Sequence, residues 1–364
     1  MTEPHIFSVD SDLHSASTPA AALYTDPGLQ ERLRERVLAR SWQWVGEAAS
    51  VGGCDQVHPL ELLPGSLSEP LLLTRDGGGE LRLLSNVCTH RAALVCQEPG
   101  ARKELRCRYH GRRFGLDGRL LHAPEFEDAR DFPTERDDLP GIPCERFGPL
   151  LFGSLDPLCS FAEWLGPMGP RLAWLPWERA GLVEEGTQDY EVEAHWALYC
   201  ENYLEGFHIP YVHPSLTRVL DWQAYDIECF EWGSVQVAHA AEGELAFEAP
   251  EGSPDHGRRV GAFYIWLFPN TMLNVYPWGL SLNVVEPRGS EACRVRFRRY
   301  VWDDSLLEQG AGSGLDQVEL EDEEVVQSVQ RGIRSRLYRR GRYAPRHEGG
   351  VWHFHRLLEK TLGS

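Results

Sequence analysis

The pattern of apolar and polar positions changes character twice along the chain. Near the start, Asp26-Pro27-Gly28 opens a predicted helix over residues 29–40, with an apolar stripe of Leu29, Leu33, Val37 and Leu38. Over residues 43–155, short apolar runs such as Leu71-Leu-Leu73 and Leu81-Arg-Leu-Leu84 are split by glycine-rich turns such as Asp76-Gly-Gly-Gly79. That pattern predicts a small antiparallel β domain. The proline- and tryptophan-rich segment 156–186 reads as a connection lying over the surface.

Beyond it a strand at 188–194 gives way to a helix, and then to strands at 234–239, 262–268, 272–276, 280–286 and 294–302. A long helix is expected from 315 to about 340, after a flexible joint at Gly310-Ala-Gly-Ser-Gly314. A chain of 364 residues is too long for one ordinary core, and 42% hydrophobic residues are ample for burial. The expected architecture is α+β in three parts: a helical arm, 1–42, packing on the last domain; a β domain, 43–155; and a mixed domain, 156–364.

A net charge of −19 argues against general nucleic-acid affinity, because no domain-wide positive field would gather phosphates. Against that background Arg91, Arg102, Lys103, Arg106, Arg108, Arg112 and Arg113 form a local basic collar. It is either ordinary solvated charge or a patch that steers an acidic partner. The odd count of nine cysteines suggests no disulfide framework. The N-terminus has no basic flank followed by an apolar core, and no apolar run is long enough to cross a membrane. The expectation is a reduced, cytoplasmic protein without membrane contact.

Two loops in the β domain carry the first candidate chemistry: Cys88-Thr-His90, and, after residues 91–106, Cys107-Arg-Tyr-His110. Thiolates are soft, charged donors for iron, and two imidazoles on one iron of a two-iron cluster raise its potential by on the order of several hundred millivolts. These four residues suffice for one [2Fe–2S] centre. Zinc modules with two Cys and two His usually group like with like, whereas each pair here is mixed.

The second constellation lies near residue 200. Glu205 and His208 are three apart and share a helix face. Pro210 disfavours helical geometry at Ile209 and removes a backbone donor, so the helix is expected to break between His208 and His213. On an unbroken helix these two would point about 140° apart; the break lets them converge. In the helix from Leu315, Asp322 falls in the middle of an apolar stripe of Val318, Val325, Val326, Val329, Ile333 and Leu337, while Glu321, Glu323 and Glu324 point sideways or outward. A carboxylate facing a core is either paired in a salt bridge or bound to metal. With His208 and His213 it makes the two-His, one-carboxylate set that leaves iron(II) open positions for dioxygen.

At Cys88, His90, Cys107 and His110 the sequence resembles the Rieske oxygenases, terminal components of ring-hydroxylating and N-dealkylating systems. The four-ligand motif also occurs in ferredoxins and respiratory Rieske proteins, so the alternative is an electron carrier without oxygenase activity. The segment from Glu201 through Asn202, Glu205, His208 and Pro210 to His213 resembles the mononuclear-iron motif of the oxygenases. Glu321-Asp322 followed by Ser328-Val-Gln-Arg-Gly332 resembles their carboxylate-ligand helix. Asn202-Tyr203-Leu204, Ile209-Pro210-Tyr211 and the ending from Glu348 to Arg356 are nearest the choline monooxygenase and quaternary-amine branch.

The resemblance implies a Rieske [2Fe–2S] domain followed by a helix-grip catalytic domain. It implies a ring-shaped homotrimer in which a carboxylate at Glu205 bridges a cluster histidine of one subunit to His208 of the next, with Asn202 beside the iron. Most members have Asp at that place, and the longer Glu is shared with carnitine-type enzymes.

No strand-linked GxGxxG and no second cysteine cluster appear, so electrons from NAD(P)H must arrive through a separate ferredoxin or flavin reductase. The expected reaction is O₂-dependent hydroxylation, or hydroxylation of an N-methyl carbon followed by its loss as formaldehyde. For the small-molecule substrate, Trp266, Phe268, Tyr276 and Trp278 on the presumed sheet lining are either core residues or a cage for a cationic ammonium.

Overall fold

The computed structural model describes residues 8–213, 226–307 and 315–363. The chain divides into two compact units, Trp42–Pro157 in one, Met1–Ser41 with Leu158–Ser364 in the other.

The smaller unit is built of three antiparallel sheets. A five-stranded sheet runs in the order Gly100–Ala101, Gln56–Leu62, Glu69–Arg75, Leu81–Ser85, Gly141–Ile142. Leu71, Leu72 and Leu73 are all buried at its centre, as a strand covered on both faces requires. A small sheet of Leu105–Arg106, Arg113–Phe114 and Leu120–His122 carries one of the two candidate cluster loops. Leu105, Phe114, Cys88 and Cys107 share one apolar core.

The larger unit centres on a seven-stranded antiparallel sheet. Its order is Gly181–Val192, Cys293–Val301, Gly279–Pro287, Thr271–Tyr276, Val260–Leu267, Gly233–His239, Asp226–Phe230. The helices Trp196–Tyr203 and Gly349–Gly363 pack on this sheet, where Phe354 meets the edges of Trp196 and Trp266. The helix Leu315–Ile333 packs against Trp196–Tyr203 and the short helix Ile209–Val212.

The initial arm belongs to this unit. It is two short helices, Ala22–Thr25 and Pro27–Arg32, and a π-helical turn, Leu33–Leu38, instead of one uniform helix. Asp26 caps the second by accepting from Leu29 N–H at 2.9 Å. The widened turn brings both Val37 and Leu38 inward, and all four stripe residues are buried. Arg32 and Arg36 donate to the Leu362 carbonyl at the end of the last helix, a place where cations complement the helix dipole.

Several expectations need correction. Segment 156–186 is not a superficial strap: it holds the helices Phe161–Leu165 and Met168–Leu172, with Trp164 and Leu172 fully buried. Ser160 and Glu163 form a capping box that starts the first of these. The long helix ends at Ile333, not near 340, and Val329 and Leu337 of its presumed stripe are exposed. Its inward face is instead marked by Glu319, Val326, Gln330 and Ile333. The glycine joint at 310–314 lies outside the described residues.

The break between the histidines also falls elsewhere. The helix Trp196–Tyr203 stops before His208, and Ile209–Val212 is a new short helix with Pro210 in its first turn. Proline is tolerated there because that N–H has no intrahelical acceptor. Pro210 therefore starts a helix where it was expected to end one. His208 and His213 stand at the two ends of this turn, with His213 N–H donating to the Ile209 carbonyl at 2.9 Å.

Candidate metal centres and the adjoining cavity

In the smaller unit both cluster loops are tight backbone hairpins. Cys88 N–H donates to the Ala93 carbonyl, and Cys107 N–H donates to the Arg112 carbonyl, each at 2.9 Å. Gly111 adopts φ +75°, a left-handed conformation that side chains resist. Asn86 locks the first loop by accepting from Cys96 N–H and donating to its carbonyl.

Arg112 joins the loops. It donates to Thr89 Oγ1 at 3.1 Å, approaches Asp137 at 3.5 Å, and lies over the rings of Phe126 and Phe132. At 3% exposure it is a structural residue and no part of a solvated collar; Arg91, Lys103, Arg106 and Arg108 are exposed.

Cys88 and Cys107 are buried, and burial, then the neighbouring Cys107 thiol, hold the Cys88 thiol above its ordinary value. The His90 and His110 rings stand 4.6 Å apart. His90 Nδ1 is buried with no hydrogen-bond partner, which is costly for a ring nitrogen unless a ligand takes it up. Two thiols and two imidazoles so disposed suit a [2Fe–2S] cluster with mixed ligation.

In the larger unit His208, His213 and Asp322 each turn one ligand atom toward a common point, all within 4.8 Å of one another. Asp322 Oδ1 lies 3.0 Å from His213 Nε2 and 3.5 Å from His208 Nε2. The opposite nitrogens are held by carboxylates: Glu205 Oε1 is 2.7 Å from His208 Nδ1, and Glu321 Oε2 is 2.8 Å from His213 Nδ1. Carboxylates accept, so a proton on each Nδ1 satisfies these two contacts and would leave each Nε2 lone pair available to a metal held with Asp322. That is how metal-binding imidazoles are oriented. Burial opposes protonation of His213, but Asp322 and Glu321 outweigh it and raise its affinity for a proton. A site that draws in positive charge in this way suits a divalent cation.

Asn202 donates to Asp322 Oδ1 at 2.6 Å. Glu321, expected to point sideways or outward, reaches His213. The signal for it was present in the adjacency Glu321-Asp322. Its contact depends on the direction from which His213 arrives, which helix periodicity alone does not specify.

The helix carrying Asp322 is tied to the helix Trp196–Tyr203 through His195. This residue is fully buried; its backbone N–H donates to Gln330 Oε1 at 2.9 Å, and its Nε2 lies 2.7 Å from Gln30 Oε1. Its Nδ1 accepts from Ala197 N–H and so caps helix Trp196–Tyr203. At the other end of that helix, a Cβ on Gly350 would stand 2.6 Å from the Leu204 carbonyl, so the last helix approaches the break closely only because it begins with glycine.

Beside the three converging donors lies a cavity of about 140 Å³. Tyr199, Tyr203, Tyr264, Tyr276 and Phe297 present rings to it, from one helix and three strands. Of the four aromatic residues expected to line it, Tyr276 does so. Trp266 and Phe268 are covered by Phe354 and Trp232, and Trp278 stacks on Tyr276 within a separate core cluster. These three lie beyond the cavity along the strands, where helix packing and core fill the space. Glu319, which periodicity did not single out, also lines the cavity; burial pushes its carboxyl up to about 8, against the lowering effect of a bond from Tyr199.

Residues 41–133 match the Rieske [2Fe–2S] domain, and residues 180–364 match the catalytic domain of the ring hydroxylating alpha subunit. The chloroplastic choline monooxygenase of Beta vulgaris is 30% identical over 98% of this chain and 80% of its own length. The carnitine monooxygenase oxygenase subunit of Escherichia coli (strain K12) is 29% identical over 95% of this chain and 94% of its own. A solved quaternary ammonium Rieske monooxygenase shares the fold, with a TM-score of 0.77 at 22% identity over 97% of this chain and all of that one (100%). The chain therefore belongs to the Rieske ring-hydroxylating oxygenase alpha subunits. It is a terminal oxygenase, with a [2Fe–2S] domain, a mononuclear-iron catalytic domain and a need for a separate electron-transfer partner. The catalytic-domain match sets aside the electron-carrier alternative. Among the described residues no helix is long and apolar enough to cross a membrane.

Proposed function

We propose that this chain hydroxylates a small N-methylated amine, with loss of formaldehyde where the attacked carbon is an N-methyl group. In this reading Cys88, His90, Cys107 and His110 hold the cluster, and His208, His213 and Asp322 hold the iron. When bound, these groups supply stored electrons and open positions for dioxygen.

The chain's own residues then divide the remaining work. Glu205 and Glu321 fix the two imidazoles, Asn202 steadies Asp322, and the aromatic cavity places the substrate beside the three donors. One oxygen atom enters a C–H bond and the other leaves as water; NAD(P)H supplies two electrons through the partner and releases one proton, and the second proton comes from solvent.

The observation that carries the amine reading is the cavity lining. Aromatic faces attract ammonium groups by cation–π interaction, by roughly 0.5–2 kcal/mol each. The cavity is also about the size of the roughly 150 Å³ space that takes up one benzene, which favours a compact substrate. The choline and carnitine monooxygenases among the relatives support the same substrate class.

The exposed Arg91, Lys103, Arg106 and Arg108 then form the docking face for an acidic electron donor. We further propose a cytoplasmic homotrimer in which Glu205 links His208 to the cluster histidine His110 of a neighbouring subunit. Glu205 already contacts His208, His110 is exposed, and inter-subunit electron transfer is described for the solved relative. Nine free cysteines agree with a reducing compartment.

The test is oxygen uptake by the reconstituted enzyme with a competent reductase across quaternary amines and aromatic acids. Uptake with amines, accompanied by hydroxylated product or formaldehyde, is expected. Turnover of aromatic acids alone, or of nothing in either panel, overturns the reading.

A further inference from the structure

Glu319 stands one turn before Asp322, on the same face of the Leu315–Ile333 helix. It is 6% exposed, yet it borders the cavity. Both of its oxygens lie 2.6 Å from the Tyr199 hydroxyl. A hydroxyl has one proton to donate and a carboxylate has about four acceptor positions, so most of its acceptor capacity is left over. Among the described residues no Lys or Arg pairs with it. Among its charged neighbours, Asp322 and Glu323 repel a second negative charge and His213 favours one; Arg299 borders a separate small cavity that Glu319 also lines.

A buried carboxyl in such company is expensive to ionise on its own and favours its neutral form; a cation entering the cavity would offset that cost and stabilise the charged form. Tyr199 is itself fixed to it, and Tyr203 is held by Asn274 Oδ1 at 2.6 Å, so both rings keep their places at the wall. Tyr264 and Tyr276 meet edge to face on the sheet side, and Phe297 also lines the space. Aromatic residues and one buried carboxyl without a Lys or Arg partner line a single space. That combination is the complement of an organic cation, whose positive charge is diffuse and whose surface is apolar.

We propose that Glu319 is the counter-ion that recognises the substrate's ammonium group, setting the specificity of the cavity for cations over neutral molecules of the same shape. The inference rests on the amine reading given above and adds to it a named residue and a charge preference. Glu319 acts on the substrate; Asp322, one turn away, acts on the metal.

The experiment compares binding of choline with binding of its uncharged carbon isostere, in which a tert-butyl group replaces the trimethylammonium. Both are titrated into the holoenzyme and into the Glu319→Gln variant, with Kd read by calorimetry. Glutamine keeps the shape and the bond with Tyr199, so the Rieske absorption and iron content should be unchanged.

In the wild type choline should bind at least tenfold more tightly than the isostere. In Glu319→Gln the choline Kd should rise at least tenfold while the isostere moves less than twofold. A wild type that prefers choline, with a variant that keeps the full preference, overturns the assignment of Glu319 and leaves the amine reading standing. A wild type without any preference for choline overturns both. If Glu319→Gln does not fold, Glu319→Asp, which keeps the charge but draws it back, should retain the preference in reduced form; an unchanged preference there also overturns the proposal.

Discussion

Glu321 and Asp322 are adjacent in the chain, yet they take opposite nitrogens of one imidazole: Glu321 at 2.8 Å from His213 Nδ1, Asp322 at 3.0 Å from Nε2. Successive helical side chains point about 100° apart, and the ring of His213 enters between them. One residue would then hold metal while the other holds the ring that holds metal.

Substitution separates the two roles. Asp322→Ala should leave the [2Fe–2S] colour intact while iron falls by one atom per chain relative to sulfide, and oxygen uptake is lost. Glu321→Ala should keep the ligand but weaken iron retention by about 10–100-fold, the usual effect of removing an outer partner of a ligating histidine. Competition with an iron chelator measures both. Equal retention by wild type and Glu321→Ala would remove the orienting role.

The basic residues around the cluster should also divide in two. Arg106→Glu with Arg108→Glu should slow reduction by the physiological donor several-fold at low salt, with the difference fading as salt is raised, because exposed charges act through a screened field. The cluster itself should be untouched. Arg112→Leu should do the opposite, loosening the Thr89, Asp137 and two-phenylalanine contacts at a cost of about 1–3 kcal/mol. The readout is faster bleaching of the Rieske absorption on heating, with no salt-dependent change in donor rate.

Gly350→Ala places a methyl against the Leu204 carbonyl, at 2.6 Å from backbone that has little freedom to yield. A loss of about 1–3 kcal/mol in unfolding stability is expected, read by chemical denaturation of the larger unit. A neutral result would mean that the last helix slides without cost.

Acid should unfold the larger unit partly through His195. Burial pushes its imidazole down to about 3 from 6.5. The unfolded chain binds the proton first, so this histidine's contribution is fully present above pH 6.5 and is lost as pH falls from there toward 3. In His195→Asn the slope of stability against pH between 6 and 4 should shrink by up to one proton, or about 1.4 kcal/mol per pH unit. An unchanged slope would place the acid sensitivity elsewhere.

The sheet and the candidate ligand residues were legible because each follows a local rule. Alternating apolar strands carry their own period, and Cys88, His90, Cys107 and His110 have few structural reasons to recur in mixed pairs. Asp322 was legible as a charge in an apolar stripe. Glu319 was not, because a carboxylate one turn away in a run of acids reads as solvated face; its burial comes from Tyr199 crossing from another helix. Three of the four expected lining aromatics, Trp266, Phe268 and Trp278, failed in a related way. Tyr264 and Trp266 have the same parity on one strand, and only the position of Phe354 decides which of them meets a cavity. Pro210 was misjudged because the same residue that ends one helix is welcome in the first turn of the next, and the choice depends on where the preceding helix has already stopped.

Glu205 uses one oxygen for the His208 ring and the other for the backbone N–H groups of Phe207 and His208. The carboxylate that aims the imidazole is thus itself aimed by the peptide plane next door. A tilt of that short loop would then be passed on as a swing of the ring, so the bend and the imidazole would work as one lever. A second molecule pressing on the loop would be felt at the nitrogen without touching it.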